Sequence, residues 1–600
     1  MRSALMARIG LAYAVVVAAA CAAVYSSAVL RPIATDDQVV VLSQWRQGKR
    51  IARQVLRWRE FARARDHARL LQADFLDPNV TVTVDVAVEQ SRFSLQPWIG
   101  AFSLVPGRDG VMVSLGNDVA FITVDDLLAA QAYDRAFPLF PVQGQATRAE
   151  AFAGADVGAI VRLAAADLHV DPRLIGSKAH ARRVRWARIV PNAGLIPMPV
   201  DQALAPTRRR DPPDPSTQAR VHALPPKLNQ LDRAQVAAAL RDAALHIARN
   251  MQPNGLFRYS FNAVTNANDA GYSLARHAAT THFLAEASAI TGDPSVNAAM
   301  LQAANHLRTY SKNRCGAHVC IAEGPVADLG SSALALLAFA DITLSETNRS
   351  FTKEIAELTE FLRSEQRPDG EFRHLYDIAA NASRDVQYMY FTEEAAMALA
   401  RASRITRRSS DLDAAARALA YVVDHGWHFF GSRYYVGEQH WTCQAVAELW
   451  DRRPNAAALA HCLRWLGYQE RLQLREGESA FDAPGAFGFA AMITPQTSTA
   501  ATRGEAAAAA LYILRSDPQA LAVAQTIIGS RPIERIETMM QRALIFLLRT
   551  QLRPGPDYLF ANPSAAYGAI SASPVDLTLR IDYAQHAGGV MLQWLSFDFR

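Results

Sequence analysis

The stretch Asn254–Asp293, NGLFRYSFNAVTNANDAGYSLARHAATTHFLAEASAITGD, decides the fold. Asn254 and Gly255 form a tight turn, because both residue types accept the positive φ such turns need. Phe257, Tyr259 and Phe261 then alternate as in an extended segment. A polar loop leads into a helix that opens with Asp269, Tyr272, Arg276 and His277 and ends near Gly292. The unit is turn, loop, helix.

The unit recurs. Gln252-Pro253-Asn254-Gly255-Leu256-Phe257 finds an echo in Gln366-Arg367-Pro368-Asp369-Gly370-Glu371-Phe372, and a looser one in Gln551-Leu552-Arg553-Pro554-Gly555. From Leu231 onward the pattern is helical, and twelve main helices are expected. The odd ones fall at 231–251, 294–312, 350–366, 411–425, 454–471 and 533–551 and carry more charge. The even ones fall at 269–291, 328–345, 386–404, 438–451, 500–515 and 580–596 and are richer in alanine, with an extra helix around 517–528. Charged outer helices around bland inner ones describe a ring, since single hairpins cannot bury their faces alone.

A Gln followed within a few residues by [ND]-G-x-F, together with six hairpins, resembles the (α/α)6 toroids. That group holds the prenyltransferase and squalene-cyclase folds, the six-hairpin glycosidases and lyases, and the C-terminal domain of glucuronyl C5-epimerases. The resemblance covers residues 231–600. The phrase from Tyr259 through His277 to Thr291-Gly292-Asp293 is most similar to the sugar-active branch. Squalene cyclases carry a D-x-D-D motif that the toroid part of this chain lacks, and their turn tryptophan is Phe372 here, so terpenoid cyclisation is not implied.

In a closed ring the inner helices open on one face, and their polar N-terminal ends form a rim there. Asp269 and Asp328 read as helix caps. Glu393 and Glu394, beside Tyr388 and Tyr390, suit a general acid, with Asp582 as the second carboxylate a glycosidase needs. His277 and His586, with Tyr272 or Tyr583, suit proton abstraction and return, as an epimerase or lyase requires. Arg276 and Arg580 suit a carboxylate, while Tyr376, Tyr435, His440 and Trp441 suit sugar faces and hydroxyls. His440, Cys443 and His586 would suit zinc, but Cys443 fits better with Cys462, so neither metal nor cofactor is assigned.

The N-terminal part has a different composition. Ile9–Leu30 is uncharged and mostly apolar, long enough to cross a bilayer at about 20 residues. Arg2 and Arg8 precede it, which favours a signal anchor with the bulk of the chain outside the inner membrane, in the periplasm. A cleaved signal peptide is the alternative. A lipoprotein at Cys21 is a third reading, although the usual leucine is missing. The expected order is anchor (1–33), amphipathic helical segment (34–74), small α+β domain (75–196), proline-rich linker (197–230) and toroid (231–600). Within the small domain, Val80–Val88 alternates as a strand, Val111–Leu115 and Val119–Thr123 form a hairpin, and Asp125–Tyr133 and Arg148–Leu168 are helical. For an exported chain, Cys315 with Cys320 and Cys443 with Cys462 are the expected disulfides.

The chain is 50% hydrophobic and 20% charged with a net charge of +5, values of a globular protein with acids and bases nearly balanced, which excludes a nucleic-acid binder. No P-loop, H-E-x-x-H or G-x-S-x-G motif is present. The function expected is action on, or binding of, an extracytoplasmic polysaccharide, acidic in one version, by epimerisation, lyase cleavage or hydrolysis. The alternative is a non-catalytic scaffold of a cell-envelope or capsule polymer system, with envelope proteins as partners.

Overall fold

The computed structural model describes residues 30–63, 80–133, 135–136, 153–190, 194–197, 231–311, 313–345, 351–425, 439–476, 483–488, 494–553 and 557–597. The expected anchor before residue 30, the linker from 198 to 230, and Tyr435 lie outside them. Among the described residues no helix is long and apolar enough to cross a membrane.

The first described segment departs from the sequence reading. Where an amphipathic helix was expected over 34–74, the chain forms a hairpin of β1 (Val39–Arg46) and β2 (Lys49–Arg57), and of the described part only Trp58–Arg63 is α-helical; residues 64–74 lie outside the described residues. The β-branched run Val39-Val40-Val41 favours strand, and Gln47-Gly48 turns with φ of 47° and 78°, the pair that two-residue hairpins select. The arginines that looked like one helical face are strand residues held by acids: Arg50 and Arg53 both bridge Asp126 and Asp167.

β1 and β2 belong to the same sheet as β3 (Thr81–Phe93), β4 (Asp109–Leu115), β5 (Asp118–Ile122) and β6 (His180–Val190). The order is β2-β1-β3-β6-β4-β5, antiparallel throughout, with short strands Arg31–Pro32 on β3 and Gly194–Pro197 on β6. The sheet domain therefore starts near residue 31, not at 75. Helices Val124–Ala129 and Val157–Leu168 contribute to its core with Ile122, Ile160 and Trp186. Asp126 completes a capping box with Thr123, so the Asp125-Asp126 pair does open a helix.

The rest is a closed helical ring. Its outer helices are α1 (Arg233–Arg249), α3 (Pro294–Tyr310), α5 (Thr352–Glu365), α7 (Ser409–His425), α9 (Ala456–Gln469) and α11 (Pro532–Thr550). Its inner helices are α2 (Leu274–Thr291), α4 (Leu329–Ser345), α6 (Phe391–Thr406), α8 (His440–Trp450), α10 (Thr497–Ser516) and α12 (Ile581–Ser596). Each inner helix packs on the next, and α12 packs back on α2. The extra helix is Pro518–Ile528. Inner helices are buried all round, as α4 shows: every residue from Leu329 to Ile342 is buried. Alanine suits them because it strengthens helices and lets neighbours approach.

The repeated turns act as clasps between hairpins. Gln366 Nε2 donates to Gly370 O and to Ala414 O of α7. Gln473 Nε2 does the same to Gly485 O and Met539 O of α11, and Gln551 Nε2 to Gly568 O and Ala239 O of α1. The last clasp closes the circle. A Cβ on the turn glycine would sit 2.5 Å (Gly370), 2.1 Å (Gly485) or 2.1 Å (Gly568) from a carbonyl of the next outer helix, so only glycine fits. The partner of Gln551 is thus Gly568, not the nearby Gly555 that its sequence suggested.

Two disulfides form as expected: Cys315–Cys320 within one hairpin, and Cys443–Cys462 between α8 and α9. The β1–β2 turn carries the sheet domain onto the ring. Gly48 N donates to Tyr558 O at 2.7 Å, and Trp45, Phe261, Val264, Tyr558 and Phe560 share one apolar cluster. Beneath it Arg188, 2% exposed, donates to both Asp85 oxygens (2.7 and 3.1 Å), to Asp125 (2.5 Å) and to the Tyr558 hydroxyl (2.6 Å).

Candidate functional site

Ring closure brings the first unit and the last together. Ser260–Asn262 pairs antiparallel with Thr578–Arg580, register Ser260 to Arg580, which sets Arg580 and α12 beside the loop before α2. The mouth above the inner helices is a cavity of about 600 Å³, within the usual range for small-ligand sites.

Of the residues expected at the rim, Tyr272, Arg276, Tyr390, Glu394, His440, Trp441, Arg580, Asp582 and His586 line this cavity. The helices start later than the periodicity indicated, so Tyr272 and Tyr390 stand on the loops that precede α2 and α6. Ser273, not Asp269, caps α2, accepting from Arg276 N, while Asp269 accepts from the Ser260 hydroxyl. Asp328 does hold the start of α4 through Ser331 N (2.6 Å) and Oγ (2.7 Å). Tyr390 takes φ of 76°, a conformation bulky residues rarely adopt and one that clusters at functional sites.

Five expected residues stand elsewhere. His277 is fully buried behind the wall: its Nε2 faces Ala303 O (3.2 Å) and its Nδ1 faces the Tyr272 hydroxyl (2.6 Å). Burial lowers its pKa to about 3, so it is a neutral prop for Tyr272. Glu393 points to α8, where the Thr442 hydroxyl donates to it at 3.4 Å. Tyr376 is buried in a short strand, donating to Asn381, and Tyr388 is exposed and stacks on Phe391. Tyr583 lies beneath the guanidinium of Arg580, 4.5 Å from ring centre to Cζ.

Three groups in the mouth have defined chemistry. In the first, Arg580 donates to both oxygens of Asp582 (2.6 and 2.9 Å), and Arg276 donates to the same carboxylate (3.1 Å) and to the Tyr259 hydroxyl (2.8 Å). Burial opposes the Asp582 charge, but the Arg580 hydrogen bonds and both guanidiniums prevail and hold its pKa below the usual carboxylate value.

The second is Glu394, 6% exposed, with Oε2 buried and unpaired among the described residues. Burial, then the charges of Asp328 and Glu393, push its pKa well above the usual carboxylate value, which favours the protonated form.

The third is a histidine pair. His440 and His586 meet edge to face with ring centres 5.3 Å apart, framed by Tyr390 and Trp441. Glu505 of α10 holds His586 Nδ1 at 2.9 Å. Burial, then the neighbouring charges of His586 and Arg503, push the His440 pKa well below its ordinary value, so His440 is a neutral base. Ligand atoms of His440, Glu505 and His586 lie within 4.8 Å of one another, and these residue types would accept a divalent cation. Cys443 is not part of that set because it is bonded to Cys462.

Glu323 and Ser331 also line the mouth and escaped the sequence reading. Glu323 sits on a two-residue strand after the Cys315–Cys320 hairpin, and nothing local distinguishes it from a surface acid.

Burial of the two α6 glutamates has a measurable result. Burial raises the Glu393 pKa from 4.5 to about 8 and pushes that of Glu394 well above its ordinary value. A carboxyl whose pKa is raised on folding stabilises below its unfolded pKa, and the contribution is lost as pH rises through the folded value. His246, His277 and His440 have the opposite sign, since all three are lowered, but their unfolded imidazoles have lost most of their protons by about pH 7.5, one unit above the ordinary value. Between about pH 7.5 and 8 stability should therefore fall as pH rises, by up to about 1.4 kcal/mol per pH unit for each such carboxyl. Denaturant titrations should show a shallower slope for Glu393→Gln/Glu394→Gln.

No protein-family model and no curated protein matches the chain. Solved structures do match. A D-mannose isomerase is 12% identical, over 62% of this chain and 99% of that one, with a TM-score of 0.44. The cellobiose 2-epimerase of Spirochaeta thermophila is 14% identical over 49% and 83%, with a TM-score of 0.38. The α-1,6-mannanase of Salegentibacter sp. is 13% identical over 61% and 98%, with a TM-score of 0.42. The solved structures matched are (α/α)6 toroid proteins that act on sugars.

Proposed function

We propose that the ring is a sugar epimerase or isomerase that moves a proton between His440 and His586. The observation that carries this reading is the facing histidine pair, one ring neutral and the other backed by the Glu505 carboxylate. A carbon-bound proton next to a sugar carbonyl is acidic enough for imidazole to remove when the developing enediolate is hydrogen-bonded. His440 takes the proton from C2 of an open-chain aldose. His586 in its charged form, stabilised by Glu505, returns one to C2 from the other face, which inverts that carbon. Return to C1 instead gives the ketose. Glu394, protonated and facing the cavity, donates a hydrogen bond to a sugar oxygen. Tyr272, Tyr390 and Trp441 offer aromatic faces to the ring.

Hydrolysis is less well supported. It needs a second carboxylate free to act as nucleophile or base, and Asp582 has its lone pairs committed to two arginines. The anchor and the periplasmic setting belong to the same proposal, supported by the apolar run Ile9–Leu30 and by two disulfides, which persist in oxidising compartments.

The test is incubation of the full chain in D2O with reducing neutral sugars, followed by NMR. Deuterium should enter at C2, with the C2 epimer or the ketose appearing. Glycosidic cleavage without C2 exchange would replace proton transfer by hydrolysis. Exchange that is abolished by EDTA and restored by a divalent cation would instead make His440, Glu505 and His586 a metal site.

A further inference from the structure

The mouth contains a built-in carboxylate where an anionic sugar would bind. Arg276 and Arg580 are the arginines that line the cavity among the described residues, and they are the natural partners for a uronate. Both are engaged on one side chain. Arg580 presents Nε and an Nη to the two oxygens of Asp582 in the forked geometry a ligand carboxylate would need, and Arg276 Nε adds a third hydrogen bond. Asp582 is 7% exposed and starts α12, so helix packing keeps it in place. Glu323 and Asp328 face the same cavity, so the surroundings do not favour an added anion.

We infer that the site selects neutral sugars over uronates, and that Asp582 is the residue that sets this selectivity by occupying both mouth arginines. The inference rests on the reading of the mouth as a sugar site and names the substrate class. A uronate has to displace a carboxylate that is already desolvated and triply hydrogen-bonded. A neutral sugar meets only hydroxyl-matching groups and aromatic faces.

The guanidiniums are held independently of Asp582. Arg276 donates to the Tyr259 hydroxyl at 2.8 Å, and Arg580 lies over the Tyr583 ring at 4.5 Å. Replacing Asp582 by its neutral isostere therefore leaves two positioned, uncompensated cations in the mouth. That is a carboxylate receptor.

Calorimetric titration of the full chain with cellobiose and mannobiose, and with disaccharides of the same linkages ending in glucuronate or mannuronate, tests this. Wild-type protein should bind the neutral sugars at least about tenfold more tightly than the uronates. Asp582→Asn should reverse that order by about tenfold or more, with salt weakening the new affinity. Tighter uronate binding by the wild type overturns the inference, and so does a folded Asp582→Asn variant, judged by its Tm, that keeps the wild-type preference. The wild-type ratio needs no variant and decides alone if Asp582→Asn does not fold. Failure of both sugar classes to bind either protein removes the sugar site itself, which is a different result from a wrong preference.

Discussion

Replacing either His440 or His586 by asparagine should lower kcat by about 10²- to 10⁴-fold, the usual contribution of a positioned acid or base. The loss should fall on kcat more than on KM, because the proton moves only in the transition state. Loss of activity alone would not separate chemistry from packing, since His440 is 2% exposed. The isotope pattern does. In the two-base scheme each histidine serves one face of C2, so each single variant should still exchange the C2 proton of one epimer with D2O and fail on the other. Inversion should vanish in both. The double variant should be little slower than either single one, because the pair acts as a unit. Glu505→Gln should give a smaller loss, since it removes only the charge that steadies His586 Nδ1. Loss of exchange from both epimers in each single variant, with Tm unchanged, would remove the two-base scheme.

The second large effect is on stability. Arg188→Met should destabilise the protein by about 3–5 kcal/mol, the range for removing one member of a buried ion pair. Asp85 and Asp125 would be left buried and facing each other without a cation, and the Tyr558 hydroxyl would lose a donor. Burial, with the nearby Asp125 and Asp126 adding to it, outweighs Arg188 and raises the Asp85 pKa to about 6, which shows how costly its charge is even with Arg188 present. The triple variant Arg188→Met/Asp85→Asn/Asp125→Asn should recover part of the loss, because uncharged partners need no counter-charge. Urea denaturation of the full chain measures both. A change under about 1 kcal/mol would mean that the cluster is hydrated, with the carboxylates not truly desolvated.

Residues 231–597 were legible because a helical ring repeats its demands. Outer helices need one apolar face and one wet face, so α5 and α11 carry strong helical periodicity. Every clasp needs a glycine against a carbonyl, so Gly255 and Gly370 stand out in sequence. The clasps of Gln473 and Gln551 were hidden or misassigned because their glycines lie 12 and 17 residues away. Contacts of that kind are made in space and leave no local spacing. The 39–57 segment was misread as helix for a related reason. Apolar residues spaced among arginines satisfy a helical pattern and an edge hairpin alike. The choice was made by Gly48 docking on Tyr558 and by acids from other elements meeting Arg50 and Arg53.

By itself the sequence determined that the chain is a ring of helical hairpins behind a separate domain, that turns at Gly255 and Gly370 end two of the hairpins, and that polar groups gather at the openings of the inner helices. Only the tertiary structure decided which of those groups share a cavity. The inner helices α2, α4 and α10 are buried on nearly every side, so they carry no polar stripe from which a rotational phase could be read. His277 and His440 both open an inner helix in an alanine-rich or aromatic setting. One ends behind the wall on Ala303 and the other meets His586 across the mouth. The difference lies in how each helix is rotated against its neighbours, which packing of the closed ring sets and local sequence does not.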